Sequence, residues 1–402
     1  MLELEEALQR ILSVIRPLGS ETVAVQEAAG RVLAERAFSP VDLPLFDNSA
    51  MDGYAVRSLD LTGASPDGPI ALRLIGKAAA GEVFPGAIET GTCVRVFTGS
   101  PLPSGADAVV MQEDTRPDRA QPDRLWFLGA VKPWENVRLQ GEDLKRGANL
   151  VAARSRLTAG QVALLAAAGI EEVEVARRPR VSLLATGNEL IEPGTPLTPG
   201  KIYESNRVML ATLLQRAGAI PKIFPPVPDT LEETRAALEQ AAAEGDAAVT
   251  SGGVSVGECD FVKAAFEKLG GKLALWKISL KPGKPFVFGQ AAQKFLFGLP
   301  GNPVSALVAF QLLVRPALAA MQGATDLSLP RLTGVLTESL VNPANRRHFM
   351  RVVMDDAGQV RSAGTQASHS LSSLAKANGL VDVPPESDWP AGAAVTVLRL
   401  DW

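Results

Sequence analysis

Three loops dense in glycine and proline constrain the fold of this 402-residue chain more than any other feature. They are Ser251-Gly-Gly-Val-Ser-Val-Gly-Glu-Cys-Asp260, Lys281-Pro-Gly-Lys-Pro285 and Leu299-Pro-Gly-Asn-Pro303. Each follows a short apolar run, and two of the three lead into a helix-like pattern. That layout belongs to an α/β sheet whose strand ends hold a phosphorylated ligand. Glycine lets the backbone approach an anion and proline fixes the turn. Lys281 and Lys284 add charge that persists near neutral pH.

The surrounding pattern fits such a sheet. From Arg180 onward, strand-like runs (181–185, 220–225, 247–251, 273–280, 286–289 and 294–299) alternate with helix-like runs (205–217, 231–244, 261–269 and 304–321). The alternation predicts a three-layer, mostly parallel α/β domain. Ahead of it, residues 3–16 carry one apolar helical stripe, and 21–36 read as helical or mixed. Short β-like runs at 70–74, 92–97, 108–112 and 125–128 predict an all-β insert within 41–150. Thr158 caps a compact apolar helix that runs to 168. After Pro330, alternation at 349–354 and 394–400 predicts a small β-domain.

Composition narrows the function. A formal charge of −4 argues against general nucleic-acid binding, which needs a basic face. No uninterrupted run approaches the roughly 20 apolar residues that span a bilayer, and the acidic, helical start is unlike a secretory signal. Cys93 and Cys259 lie far apart, which disfavours a disulfide framework or thiolate zinc site and points to the cytoplasm. With His348 and His369 the only histidines, a metal here is a hard ion held by carboxylates, such as Mg²⁺.

Several short motifs stand at predicted strand ends or turns. Leu45–Ala55 is dense in polar and turn-forming groups, and Asn48, Ser49 and Asp52 make either a solvated turn or an oxygen-lined site. Arg138 to Asp143 places an arginine and two acids around Gly141, as an exposed turn or a site. Thr186-Gly-Asn-Glu-Leu190 follows the first α/β strand, where such sheets bind ligands. Asp229 serves equally well as an N-cap or a ligand, while Asp260 directly follows the glycine-rich loop and reads as functional. Lys277, Lys281 and Lys284 flank Pro282-Gly283 as a convergent cationic cluster. Neither a Walker motif nor a dinucleotide fingerprint is present.

Taken in order, these motifs resemble the molybdopterin molybdenumtransferases, the MoeA and gephyrin E-domain family, over essentially the whole chain. The matching stretches are Pro40–Ala55, Phe97-Thr-Gly99, Gly141-Glu-Asp143, Thr186–Leu190, Ser251–Gly257, Lys281–Pro285 and Leu299–Pro303. The resemblance implies an α/β multidomain chain with a discontinuous N-terminal helical/linker domain (1–44 and 147–178). It further implies a β insert (45–146), a molybdopterin-binding α/β domain (179–327) and a C-terminal β-domain (328–402). It implies a cytoplasmic enzyme that takes molybdate and adenylylated molybdopterin as substrates, inserts the metal with help from Mg²⁺ and releases AMP. It also implies a homodimer whose cleft lies between the α/β domain of one subunit and the insert of the other. Other enzymes of molybdenum cofactor synthesis are candidate partners; nucleic acid and membrane are not.

Carried onto this chain, the resemblance assigns chemistry to Asp52, Asp143, Glu189, Asp229, Asp260, Lys277 and Lys281, with Mg²⁺ held by a subset of Glu189, Asp229 and Asp260. Substrate contacts fall to Thr98, Ser100, Arg138, Thr186, Gly252, Gly253, Val254, Ser255, Lys284, Pro300, Gly301 and Pro303. Two anions must approach one another, so cations are needed to offset their repulsion. Asn188 stands where many relatives have an acid, lowering the local charge by one. Ser368, His369 and Ser372 lie in a tail resembling the family's C-terminal site edge. Two other readings remain: a molybdopterin adenylyltransferase, which carries a Thr-Gly-Gly-Thr-Gly loop absent here, and a non-catalytic scaffold of the gephyrin E-domain type.

Overall fold

In the computed structural model, which describes residues 2–254 and 260–400, a six-stranded sheet positions everything else. Its order is Ile220–Ile223, Arg180–Ala185, Ala247–Ser251, Lys294–Leu299, Val287–Ala291, Lys272–Trp276. The first four strands are parallel and the last two joints antiparallel. Period-two alternation fills both faces. Val181, Leu183, Val249, Phe297 and Leu299 enter one apolar cluster, while Leu184, Ala248 and Leu296 enter the other. The register brings Ser251, Leu299 and Ala185 to one edge, with Val287 opposite Gly298. All three glycine-proline loops therefore leave the sheet on the same side.

The helix Pro303–Met321 is long and apolar enough to cross a membrane, but 89% of its apolar window is buried, so it is a core helix. A five-residue π-turn, Phe310–Val314, interrupts it. The first helix, Leu4–Val14, packs Leu4, Ala7 and Ile11 into the same cluster. By packing it belongs with the α/β layers rather than with the linker region that follows it in sequence.

Segments on either side of the insert pair with each other. Ser20–Ala24 runs antiparallel to Glu172–Ala176, and Ala37–Phe38 pairs with Asn149–Val151. Of the two readings for 21–36, helical or mixed, the segment is mixed: a strand followed by one short turn, Val25–Glu27. β-branched Thr22 and Val23 gain more from cross-strand partners than from a helix. Helix Ala159–Ala167 begins with a full capping box between Thr158 and Gln161. The insert is a six-stranded sheet, and the C-terminal segment closes a five-stranded barrel. The strand expected over 273–280 ends at Trp276, because Lys277 turns to φ +76°.

Candidate active site at the sheet edge

A cavity of about 580 Å³ opens at the loaded edge of the sheet. Thr186, Glu189, Asp229, Gly252, Gly253, Val254, Asp260, Pro300, Gly301 and Pro303 all line it. Ser255 lies outside the described residues. Val254 also turns its side chain into the core, where it is 3% exposed, so its contribution to a ligand falls to its backbone.

The glycine turn is required by close approach. Gly252 and Gly253 have φ of +87° and +68°, and a Cβ on Gly253 would lie 2.6 Å from Thr186 Oγ1. Thr186 Oγ1 is buried without a hydrogen-bond partner. On the neighbouring loop, Asn188 and Asp229 interlock. Asn188 N–H donates to Asp229 Oδ2 (2.9 Å), and Asp229 N–H donates to Asn188 Oδ1 (3.1 Å). The helix cap is Thr230, whose hydroxyl accepts from Glu233 N–H at 3.2 Å. Asp229 is thereby released from capping and lines the cavity. A Cβ on Gly187 would meet a Glu189 carboxylate oxygen at 2.6 Å, so that carboxylate folds back over the Gly187 backbone.

Several wall residues escape the motif reading. Asn206 begins helix Asn206–Arg216 and donates to Ser251 Oγ (2.8 Å) and Gly301 O (2.7 Å), tying two loops together. Its Oδ1 is buried with no partner, a free acceptor in the floor. Glu204, 2% exposed, pairs with buried Arg207, which also donates to Glu192 and to Phe224 O. Leu371 reaches the cavity from the C-terminal barrel, beside His369 of the tail already singled out in the sequence. The only sequence signal for Asn206 was its place at a helix start facing the loaded edge. Replacing Asn206 with Leu should cost about 1–3 kcal/mol in denaturant unfolding and weaken ligand binding. Unchanged values in both would remove it from the site.

The barrel segment is fixed by Arg351, which is fully buried. Its guanidinium donates to Ser373 Oγ, Thr365 O and Ala367 O, and burial pushes its pKa down to about 10. Asn302 then donates to Ser368 Oγ at 3.1 Å, and Val304 N–H to Ser368 O at 3.1 Å.

Lys277, Lys281 and Lys284 belong to the loop at the same edge, yet none lines the cavity; Pro285 does. The backbone of Lys281 is held by the barrel, donating to Arg347 O and accepting from Phe349 N–H. Beside it lies His348, buried with both ring nitrogens unpartnered. Desolvation first, then Lys281 and Arg351, push its pKa down to about 4. The folded state thus binds its proton more weakly than the unfolded state does. Stability is full above about pH 6.5 and falls as pH drops towards 4, by on the order of 3 kcal/mol. A His348→Leu variant should flatten that profile in pH-dependent unfolding; an unaltered slope would remove His348 as its source.

The remaining expected residues stand on the insert and its junction, away from this cavity. Asp52 Oδ1 accepts from Thr98 N–H (2.8 Å) and Thr98 Oγ1–H (2.9 Å). Those bonds, backbone first, and the nearby Arg95 charge hold its carboxyl below the usual range. Arg138 pairs with Asn48 across a short two-strand ladder, and Asp143 N–H donates to Leu43 O. Ser100 is fully buried, and its hydroxyl donates to Phe97 O and accepts from Phe97 N–H. It therefore builds the turn after Thr98 and has no free group for a substrate. Among the described residues no three His, Cys, Asp or Glu side chains converge as a metal cage. Cys93 is buried, and desolvation pushes its thiol up to about 12, which rules it out as a nucleophile.

An α/β sheet that gathers carboxylates and glycine turns at one edge, walled by a barrel loop and carrying an all-β insert, defines a multidomain protein of the sheet-edge ligand-binding class. Three family models match in succession: "MoeA N-terminal region (domain I and II)" over 2–169, "Probable molybdopterin binding domain" over 182–320, and "MoeA C-terminal region (domain IV)" over 333–400. The chain belongs to the MoeA family. It is 39% identical to the molybdopterin molybdenumtransferase of Haemophilus influenzae, covering 99% of this chain and 98% of that one. It is also 39% identical to molybdopterin molybdenumtransferase 2 of Mycobacterium tuberculosis, over 96% and 95%. The solved molybdopterin biosynthesis MoeA protein of Pyrococcus horikoshii OT3 superposes over both full chains with a TM-score of 0.85 at 32% identity.

Proposed function

We propose that this chain inserts molybdenum into adenylylated molybdopterin, taking molybdate as its metal source and releasing AMP. Its full-length relatives support a transferase of molybdenum cofactor biosynthesis. The observation that carries the finer reading is the convergence of Glu189, Asp229, Asp260 and the Gly252–Gly253 turn on one cavity.

The wall suits a pterin phosphate joined to a second phosphate. Backbone groups of Gly252, Gly253 and Gly301 approach the bridging phosphates, and Asn206 Oδ1 accepts from the amino or hydroxyl donors of the ligand. Lys277, Lys281 and Lys284 leave the same edge and offset charge as the oxyanions approach. Glu189, Asp229 and Asp260 line one cavity, and Mg²⁺ prefers one or two carboxylates plus substrate phosphate oxygens. Held by these acids, Mg²⁺ would supply positive charge that offsets that of the substrate phosphates. The acids orient a water oxygen towards the adenylyl phosphorus; a new P–O bond forms as the bridging P–O bond breaks, so AMP leaves and the other phosphate stays on molybdopterin.

Asp52, Thr98, Arg138 and Asp143 complete the site from the insert of a second subunit in a homodimer. Exposed Leu45, Phe46, Met51 and Leu139 beside this motif support a covered surface there. The cytoplasm is the proposed compartment. Purified protein given adenylylated molybdopterin, Mg²⁺ and molybdate should release AMP only when molybdate is present. Binding without turnover would reject the enzymatic reading in favour of a scaffold.

A further inference from the structure

A second cavity, of about 400 Å³, lies at the other end of helix Asn206–Arg216 from the acidic site, where the linker unit meets the α/β helices. Arg154 and Arg156 enter it from the segment after strand Asn149–Val151. Arg216 enters from the last turn of helix Asn206–Arg216, and Arg315 from the long core helix. One carboxylate, Asp326, stands among these four guanidinium groups, and one of its oxygens already accepts from Ser328 N–H and Oγ–H. Neither Arg154 nor Arg216 forms an ion pair among the described residues. Arginines in a concave wall repel one another unless an anion enters, and a planar guanidinium matches phosphate oxygens in pairs.

Two independent features mark the wall as built for a ligand. Gln311, 5% exposed, sits in it with its amide oxygen buried and without a partner. An orphan acceptor of that kind is satisfied by a ligand hydroxyl or amino donor. Gln311 also lies in the π-turn Phe310–Val314, and Arg315 follows it directly. Such turns cost hydrogen-bond geometry and collect at functional sites. Leu213 and Leu329 supply an apolar floor beside the charged rim.

We propose that this cavity is a second binding site, for a nucleotide, with phosphates on the arginines and sugar or base donors on Gln311. The site is separate from the acidic cavity and shares no wall residue with it. Calorimetry with ADP tests it on the full chain, comparing wild type with an Arg154→Gln, Arg216→Gln double variant. Both positions are solvent-exposed, so the variant keeps its fold.

ADP affinity should fall tenfold or more in the variant, while molybdate-dependent AMP release stays unchanged. Pyrophosphate should compete with ADP, and rising salt should weaken binding. Photolabelling with 8-azido-ADP should modify the 310–329 segment of the wild type. Equal ADP affinity in both proteins, or labelling confined to the loops at 186–190 and 251–254, overturns the proposal. So does a change of assembly state without a change in ADP affinity, since the cleft would then be a protein interface.

Discussion

An equal, randomly paired mixture of Asp52→Ala and Asp260→Ala chains is expected to regain about a quarter of wild-type turnover, although each variant alone is nearly inactive. Asp260 lines the sheet-edge cavity, whereas Asp52 stands on the insert and does not. If the cleft joins the α/β part of one subunit to the insert of its partner, a mixed dimer holds one intact site and one doubly damaged site. Half of randomly paired dimers are mixed, so about one site in four is whole. Each single substitution should lower the rate by roughly 10²–10³, the usual loss when a preorganised polar group is removed from a reacting charge. Differential tags would verify that mixed dimers form. Mixed dimers with no recovered activity would place both acids in one subunit's site, or Asp52 outside it.

Gly53→Ala should damage the insert more than any other single methyl addition next to the acidic motif. Gly53 lies in the central strand Gly53–Val56, between Ala108–Met111 and Thr92–Val96. A Cβ there would sit 2.1 Å from Val110 O and 2.9 Å from its carbonyl carbon. Backbone cannot rotate away as a side chain can, so the cost lies at or beyond the upper end of ~1–3 kcal/mol for overpacking. Asp52 precedes this residue and Thr98 follows the neighbouring strand, so separating the strands breaks both Thr98 bonds to the carboxylate. Hydrogen exchange should show lost protection in 53–56 and 92–96, with the central α/β sheet still protected. AMP release should fall at least as far as in Asp52→Ala. Wild-type exchange in those strands would defeat the packing argument.

The sheet edge was legible from sequence because its signals are local. Apolar runs end in Gly-Gly or Pro-Gly, and only a strand-to-loop junction uses that pattern repeatedly. Thr158 announced its N-cap for the same reason, and the structure adds Gln161 to complete a capping box. What stayed hidden depends on long-range contact. Asp229 read equally as cap or ligand; Thr230 takes the cap, and Asp229 instead bonds the Asn188 loop, 41 residues earlier. Ser100 looked available until its hydroxyl closed on Phe97, and Asn206 carried no motif although it ties Ser251 to Gly301. The 20–24 strand needed a partner about 150 residues away, so local propensity alone could not choose it. Family resemblance supplied the roles of the insert residues, which no spacing in one chain implies.

The barrel loop that walls the cavity has a kinetic consequence. Leu374, three residues beyond Leu371, is buried in the same apolar cluster as Phe297 and Leu307, together with Phe349 and Leu380 of the barrel. Swinging the loop outward would drag Leu374 and its neighbours into water, at about 1.5–3 kcal/mol for each large side chain. Exposing two or three of them amounts to roughly 5 kcal/mol, an open population of about one molecule in several thousand. The loop therefore acts as a fixed wall, and substrate and product exchange through the solvent-facing mouth at a rate that barrel motion does not limit.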